Sequence, residues 1–292
     1  MSKVLWKGKD VLRIVKGHGP SNWDAYGISI DTRTLRKGDI FFALAGPNYD
    51  GHQFINEAIK KGACVVISNA PVLNHEKKVI VVNDVLKALI SLGKFSRNRN
   101  KGKIIAVTGS SGKTTVKEML ALSLSNSGKI HYSQSSYNNK IGVSLSLARM
   151  PSDTDFSIFE VGMNNYGEIS YLSKMIKPDI GLINNAGSAH IKYFKSKKEI
   201  EKEKLELIHG LNSGGFLVLN EDISINKSIK NFSKKNNIEL IKFGQNDKSN
   251  NFLINYRYFS DGSLIEANLD NISLSFKMFA PGLHMALNAI AV

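Results

Sequence analysis

Lys103-Ile-Ile-Ala-Val-Thr-Gly-Ser-Ser-Gly-Lys-Thr-Thr-Val116 is the stretch that decides the fold. Ile104 to Thr108 reads as a buried strand, Gly109 to Gly112 as a tight turn, and Lys113 as the opening of a helix. That order aims a row of backbone N–H groups and the positive end of a helix at one point, which makes a phosphate site. Lys113 adds a point charge for β- and γ-phosphates, and the Thr114 hydroxyl suits Mg²⁺. Gly109, Ser110, Ser111, Gly112, Lys113, Thr114 and Thr115 are therefore the candidate nucleotide-binding residues, and the ligand they imply is a nucleoside triphosphate. The loop is shortened: Val107 stands where the G-x-x-x-x-G-K-[ST] pattern has its first glycine, leaving G-x-x-G-K-T-T. A chance Gly-Lys-Thr on a surface turn would lack the apolar strand before it and the helix after it.

From 103 onward the pattern repeats strand and helix. Ile104–Thr108, Phe156–Val161, Asp179–Asn184, Phe216–Leu219 and Glu239–Phe243 are short apolar runs separated by helical stretches, which predicts a parallel sheet covered on both faces. After 251 the spacing changes. Asn251–Phe259, Ser263–Leu269 and Ile272–Phe279 read as strands joined by Asp261-Gly262 and Asp270-Asn271 turns, an antiparallel appendage. A last helix starts near Met285. Residues 1–97 form a smaller α/β pattern, with apolar runs at Ile28–Thr32, Asp39–Leu44, Ala63–Ser68 and Val79–Val82. A helix from Asp50 is closed by Gly62, and a second spans Asp84–Phe95 with Asp84 as N-cap. The polar stretch Ser96–Lys103 has no periodicity and reads as the boundary between a domain at 1–97 and one at 98–292.

Composition narrows the class. The 292 residues are 42% hydrophobic, enough for two cored domains. The single cysteine, Cys64, sits inside an apolar strand pattern and reads as a buried residue of a reducing compartment rather than a catalytic thiol. The N-terminus has no apolar signal core, and no run reaches the ~18 residues of a membrane span; the reading is cytoplasmic, without membrane span. Net charge is +14. The lysines are scattered, with no basic stripe interleaved with aromatics, so the charge points to small polyanionic substrates and not to nucleic acid.

Ligands of an open α/β sheet sit beyond the carboxyl ends of its strands. Glu160, at such an end in Glu160-Val-Gly-Met-Asn-Asn165, is either a Mg²⁺ ligand or a salt-bridged carboxylate. His190, after Asn184-Asn-Ala-Gly-Ser-Ala, is either a loop histidine or a metal or phosphate contact. In Glu199-Ile-Glu-Lys-Glu-Lys-Leu-Glu-Leu-Ile208, helical spacing puts Lys204 on the face of Ile200, Leu207, Ile208 and Leu211. It puts Lys202 with Lys198, Glu199 and Glu206. Lys204 is then either a snorkelling side chain or a buried amine of lowered pKa.

Thr108-Gly-Ser-Ser-Gly-Lys-Thr-Thr115, Glu160-Val-Gly162, Asn184-Asn185 with His190, and the Lys202-Glu-Lys204 helix together resemble the ATP-binding domain of the Mur ligases, which add amino acids to the peptidoglycan precursor. Ser29-Ile-Asp-Thr-Arg33, Phe41-Phe-Ala-Leu-Ala-Gly46 and Asp50-Gly-His-Gln-Phe54 extend the resemblance to the N-terminal part, so it covers nearly the whole chain. Gly109-Ser-Ser-Gly112 and Ser136-Tyr-Asn-Asn-Lys-Ile-Gly-Val143 favour the type that joins D-alanyl-D-alanine to UDP-N-acetylmuramoyl-tripeptide. The resemblance implies ATP and two Mg²⁺ ions, with Thr114 and Glu160 on one ion, and His190 and a carbamylated Lys204 on the other. Lys113, Lys204 and His190 would be catalytic. Tyr137, Asn138 and Asn139 would meet the muramoyl peptide, and Thr32, Arg33, Gly46, Asp50 and His52 the uridine diphosphate end. Asn288, in Gly282-Leu-His-Met-Ala-Leu-Asn288, would lie on the adenine side; Met285 replaces the asparagine the family usually has after that histidine.

The chemistry implied is attack of the tripeptide carboxylate on the γ-phosphate, giving an acyl phosphate that the incoming amine then converts to an amide. The family has a third, Rossmann-like domain after the Gly282–Asn288 region, and this chain stops at Val292. The resemblance thus implies that this domain is missing here, and a monomer when complete. Two other readings stay open: a Mur-type ligase adding the third residue, or a nucleotide-binding module without ligase activity.

Overall fold

The computed structural model describes residues 3–46, 49–187, 194 and 196–292. The chain divides into two compact units, Met1–Lys101 with Ser144–Ser152, and Gly102–Val143 with Asp153–Val292.

The first unit is built on a parallel sheet ordered Gly27–Ser29, Asp39–Phe42, Val65–Ser68, Val79–Val81. All four residues of both central strands are buried, as expected of strands covered on two faces. Phe41, Ala43 and Val66 pack against Ile55 and Ala58 of the helix that follows the second strand. That helical stretch is in two parts: a 3₁₀ turn, Gly51–Phe54, whose N-terminus is capped by the Asp50 carboxylate, and the α-helix Ile55–Lys60. Gly62, at φ +92°, closes it.

The stretch read as a linker is partly helix. Asp84 caps the next helix by accepting from Lys87 N at 2.8 Å, and that helix runs from Val85 to Arg99, well past Phe95. The polar residues at its end are held by tertiary partners. Ser96 is fully buried and donates to Met150 O at 2.8 Å. Arg99 stacks 4.0 Å over the Trp6 ring and donates to Leu5 O and Met150 O. A polar face that is nonetheless buried carries no apolar period, so the helix end was invisible in sequence. Further elements of this unit went unforeseen: the helix Gly8–Val15, the strand pair Trp6–Lys7 with Asp24–Ala25, and the strand pair Ala45–Gly46 with Tyr49–Asp50.

The second unit holds a nine-stranded sheet. From edge to edge it runs Ile130–Tyr132, Phe156–Glu160, Lys103–Thr108, Ile180–Ile183, Phe216–Asn220, Glu239–Gly244, Asn251–Phe259, Gly262–Leu269, Ile272–Met278. Pairing is parallel as far as Asn251–Phe259 and antiparallel beyond it. The antiparallel part is continuous with the rest through Phe243↔Asn251 and Gly244↔Phe252. It also shares its core: Leu253, Ile265 and Ala267 cluster with Ile105, Val107, Val116 and Leu120 around Ala286 and Ile290 of the last helix, Leu283–Ala291. Among the described residues no helix is long and apolar enough to cross a membrane.

Candidate active site

The strand Lys103–Thr108 has Phe156–Glu160 on one side and Ile180–Ile183 on the other, while the next strand along the chain, Ile130–Tyr132, lies beyond Phe156–Glu160. The direction of winding reverses at this strand, which makes its carboxyl end the crevice where such sheets take ligands. Register brings the chemistry to that end. Glu160 pairs with Val107, and Ile183 pairs with Thr108. The loop Gly109–Gly112 therefore leaves the sheet between Glu160 and Asn184.

The loop turns into the helix Lys113–Leu124 at Gly112, whose φ of +74° is left-handed. A Cβ there would also stand 2.5 Å from Asn184 Nδ2, so both the backbone and the space demand glycine. The helix's first amides, at Lys113, Thr114 and Thr115, have no carbonyl partner within it. Two amides earlier in the loop are taken by a side chain: Asn185 Oδ1 accepts from Ser110 N at 2.9 Å and Ser111 N at 3.0 Å. Asn185 Nδ2 donates to Ser111 O and Oγ, and Ser110 Oγ donates to Gly187 O at 3.0 Å. Asn184 Nδ2 reaches Ser111 O at 3.2 Å and Asn288 Oδ1 at 2.8 Å. A loop two residues shorter than the common form thus takes its bracing from the exit of the neighbouring strand. Lys113 Nζ donates to Gly109 O at 2.9 Å, and burial lowers its pKa while the Glu160 carboxylate opposes the drop.

Glu160 is almost wholly buried. Its Oε2 accepts from Thr114 Oγ1 at 2.9 Å and its Oε1 from Asn138 Nδ2 at 2.8 Å, and Ser136 Oγ stands 3.4 Å from Thr114 Oγ1. No cation is needed to account for its burial, yet the hydroxyl–carboxylate pair is a hard-oxygen donor set that fits Mg²⁺ shared with phosphate oxygens. Among the described residues no cluster of three or more His, Cys, Asp or Glu side chains offers a self-sufficient metal cage.

The helix Lys197–Leu205 is capped by Ser196, whose Oγ accepts from Glu199 N at 3.3 Å. Ile200, Leu207 and Ile208 are fully buried and Lys202 is exposed. Lys204 is buried on the apolar side, 1% exposed. Desolvation, with the nearby Lys113 charge in second place, pulls its pKa down to about 7. A large fraction of it is then neutral amine at neutral pH, the form that reacts with CO₂ to give a carbamate. His190 lies outside the described residues.

Residues 107–292 match the Mur ligase middle domain, and residues 24–107 match the catalytic domain of the Mur ligase family. The chain belongs to the Mur ligase family. It is 34% identical over 271 residues, 92% of this chain and 60% of the relative, to a UDP-N-acetylmuramoyl-tripeptide–D-alanyl-D-alanine ligase of Rickettsia prowazekii. It is 41% identical over 197 residues, 67% of this chain and 43% of the relative, to the enzyme of the same name from Synechocystis. Among solved structures it superposes on MurF from Acinetobacter baumannii with a TM-score of 0.86 at 27% identity, covering 98% of this chain and 63% of that one. MurF ligase from Thermotoga maritima in complex with ADP gives 0.76 at 25%, covering 91% and 61%. This Mur ligase chain thus spans 43% to 60% of the length of those two curated relatives.

The other residues singled out from sequence in this Mur ligase chain fall as follows. Asn139 Oδ1 accepts from Gly142 N at 2.9 Å at the start of the helix Lys140–Ala148, and Tyr137 packs on Gly142. In the first unit, Thr32, Arg33, Gly46, Asp50 and His52 lie in segments beyond the carboxyl ends of the parallel strands Gly27–Ser29 and Asp39–Phe42. Arg33 is engaged by Asp31, Nη2 to Oδ2 at 2.6 Å, which holds the Asp31 carboxyl below its ordinary pKa. Lys61 Nζ donates to Thr32 O. Asp50 accepts from His52 N at 3.0 Å and sits 2.6 Å from His52 Nδ1, and both bonds lower its pKa. Gly46 faces the Tyr49 ring. Asn288 is buried and bonded to Asn184 beside Gly112.

Nothing in the residue pattern alone assigns Asn184 and Asn185 a role in the loop. The available signal was their place: two side-chain amides, each able to donate and accept, directly after the strand beside a shortened loop. Cys64 is half-buried, its thiol pushed up to about 12 chiefly by desolvation, which fits a residue without nucleophilic function.

Proposed function

We propose that this chain carries the ATP-binding and UDP-sugar-binding parts of a cytoplasmic ligase that joins D-alanyl-D-alanine to UDP-N-acetylmuramoyl-tripeptide. The observation that carries this reading is the meeting at one strand end of the Lys113 loop and the Thr114–Glu160 pair, with the buried Lys204 amine near enough to feel the Lys113 charge. A phosphoryl donor and a carboxylate acceptor are both anions, so joining them needs fixed positive charge. Lys113 and the first-turn amides of Lys113, Thr114 and Thr115 supply it. Thr114 and Glu160 would hold Mg²⁺, which when bound neutralises the phosphate oxygens. Lys204, once carbamylated, would offer two anionic oxygens in place of a cation, with His190 as a second ligand. Tyr137, Asn138 and Asn139 would orient the muramoyl peptide. Thr32, Arg33, Gly46, Asp50 and His52 would hold the uridine diphosphate end, and Asn288 would support the adenine side through the loop. With these groups in place the tripeptide carboxylate attacks the γ-phosphate, the bond to the β-phosphate breaks and ADP leaves. The amine of the dipeptide then displaces phosphate from the acyl phosphate and leaves an amide.

Two measurements test the reading. Calorimetry on this chain should show Mg²⁺-dependent ATP binding and separate binding of UDP-N-acetylmuramoyl-tripeptide. Phosphate release by the full-length protein should require D-alanyl-D-alanine together with the tripeptide. Release that instead follows a single amino acid with UDP-N-acetylmuramoyl-dipeptide would reassign the protein to third-residue addition. ATP binding with no release on any UDP-sugar peptide would leave a nucleotide-binding module.

A further inference from the structure

The helix Lys113–Leu124 carries a second lysine one turn after Lys113. Lys117 has no exposed surface. Its ammonium donates to Ser133 O at 2.7 Å and Ser135 O at 3.1 Å and pairs with Glu118 Oε1 at 3.1 Å, with the Tyr132 ring 5.7 Å away. Two backbone carbonyls and one carboxylate therefore surround the ammonium. Burying an ammonium still carries a large desolvation penalty before its partners are counted. An apolar side chain of similar length would fill the same space without that cost. The charge does what an apolar side chain cannot: it grips two carbonyls of one loop.

That loop leads directly to the metal-binding pair. Ser133 N donates to Ile158 O at 3.1 Å, which ties the start of the loop to the strand that ends in Glu160. Ser135 then adopts a left-handed backbone, φ +50°, a conformation costly for serine. Ser136 Oγ meets Thr114 Oγ1, Asn138 Nδ2 meets Glu160 Oε1, and Asn138 O accepts from Gly162 N at 2.8 Å. The carbonyls held by Lys117 thus immediately precede the side chains that touch Thr114 and Glu160. Lys113 grips Gly109 O in the same manner, so two lysines of one helix each pin a loop by its backbone.

We propose that Lys117 is a positioning residue: its buried ammonium fixes the 133–138 loop so that Ser136 and Asn138 hold Thr114 and Glu160 ready for nucleotide-bound Mg²⁺. The proposal rests on the nucleotide reading above and adds a residue that reading does not use. Lys117 touches no phosphate, so its removal should act through the metal and leave the nucleotide's other contacts in place.

The test uses this chain with Lys117→Met and Lys117→Arg. ATP affinity is measured by calorimetry in EDTA and in Mg²⁺, and amide exchange is followed by mass spectrometry over 133–138 and 113–124. A hydrogen bond to a charged group changes an equilibrium constant by roughly tenfold or more. The methionine variant should therefore lose roughly tenfold or more of the affinity that Mg²⁺ adds, with EDTA affinity nearly unchanged and faster exchange confined to 133–138. The wider arginine head cannot meet both carbonyls at the same points, so that variant should show the same two changes at smaller size. It keeps the test open should the methionine variant fail to fold. Equal losses with and without Mg²⁺, exchange that rises across 113–124 as well, or an arginine variant unchanged in both readouts would overturn the proposal. An unsubstituted chain that binds no ATP would overturn the nucleotide reading itself, and this inference with it.

Discussion

Lys204→Met should make the protein more stable at neutral and acidic pH, and the advantage should fade as pH rises. The lysine's pKa falls from 10.5 to about 7 in the folded chain because burial disfavours its charged form. Between those values the unfolded chain binds more protons at this site than the folded one, so stability rises with pH across that window. Below about pH 7 both states are protonated and the full penalty stands; above about 10.5 both are neutral and it is gone. At about 1.4 kcal/mol per pH unit the full gap amounts to ~5 kcal/mol, an upper bound, since relaxation and water reduce such penalties. Methionine has similar length and no charge, so its variant lacks this slope. Urea unfolding of both proteins at several pH values between 6 and 10, in CO₂-free buffer, gives the difference and cancels every other titrating group. The methionine variant should lead by several kcal/mol at pH 6 and by little at pH 10. Adding bicarbonate near pH 8 should stabilise the unsubstituted chain alone, because only it can form the carbamate. Parallel curves from pH 6 to 10 would refute the reasoning, since Lys204 would then keep its ordinary proton affinity despite its burial. Lys202→Ala, on the exposed face, should change stability by no more than ~0.5 kcal/mol at any pH.

Lys113→Ala should cut ATP affinity of this chain by roughly a hundredfold, the scale of one charge-assisted contact to phosphate in a shielded site; calorimetry showing unchanged affinity would refute its role. Gly112→Ala forces a left-handed alanine and a Cβ 2.5 Å from Asn184 Nδ2, so it should cost at least ~1 kcal/mol of stability in urea and abolish nucleotide binding. Asn185→Ala removes the acceptor of two loop amides and the donor to Ser111. Amide exchange at 109–112 should speed up by tenfold or more at about 1.4 kcal/mol per decade, and unchanged exchange would show that the loop holds itself. Arg33→Ala should weaken binding of UDP-N-acetylmuramoyl-tripeptide while leaving ATP affinity as it was, and calorimetry on both ligands checks the split.

The sequence by itself determined most strands of the second unit's sheet and its nucleotide loop. Apolar runs such as Ile104–Thr108 and Phe156–Val161, set among helical stretches, can bury both faces only as parallel strands under helices, so local pattern and global fold agree. Gly112-Lys113-Thr114 carries its own conformational demand and its own charge. The facial reading of Lys204 also held for burial, because helical spacing alone assigns a residue to the side of Ile200 and Leu207. Tertiary structure decided what spacing could not reach. The strand Ile130–Tyr132 is short and partly exposed, and only its pairing with Phe156–Ile158 makes it a strand. Ser96 and Arg99 extend a helix because Met150, Leu5 and Trp6 receive them. Asn185 is one polar residue among many until the reversal of winding puts it under the amides of Ser110 and Ser111. Lys117 is buried because the 133–138 loop brings the carbonyls of Ser133 and Ser135 to its ammonium. Apolar periodicity reports how a segment meets its core, so it is silent wherever a polar side chain is buried by a hydrogen-bond partner distant in sequence. Those long-range partners are what turn a legible fold into a working site.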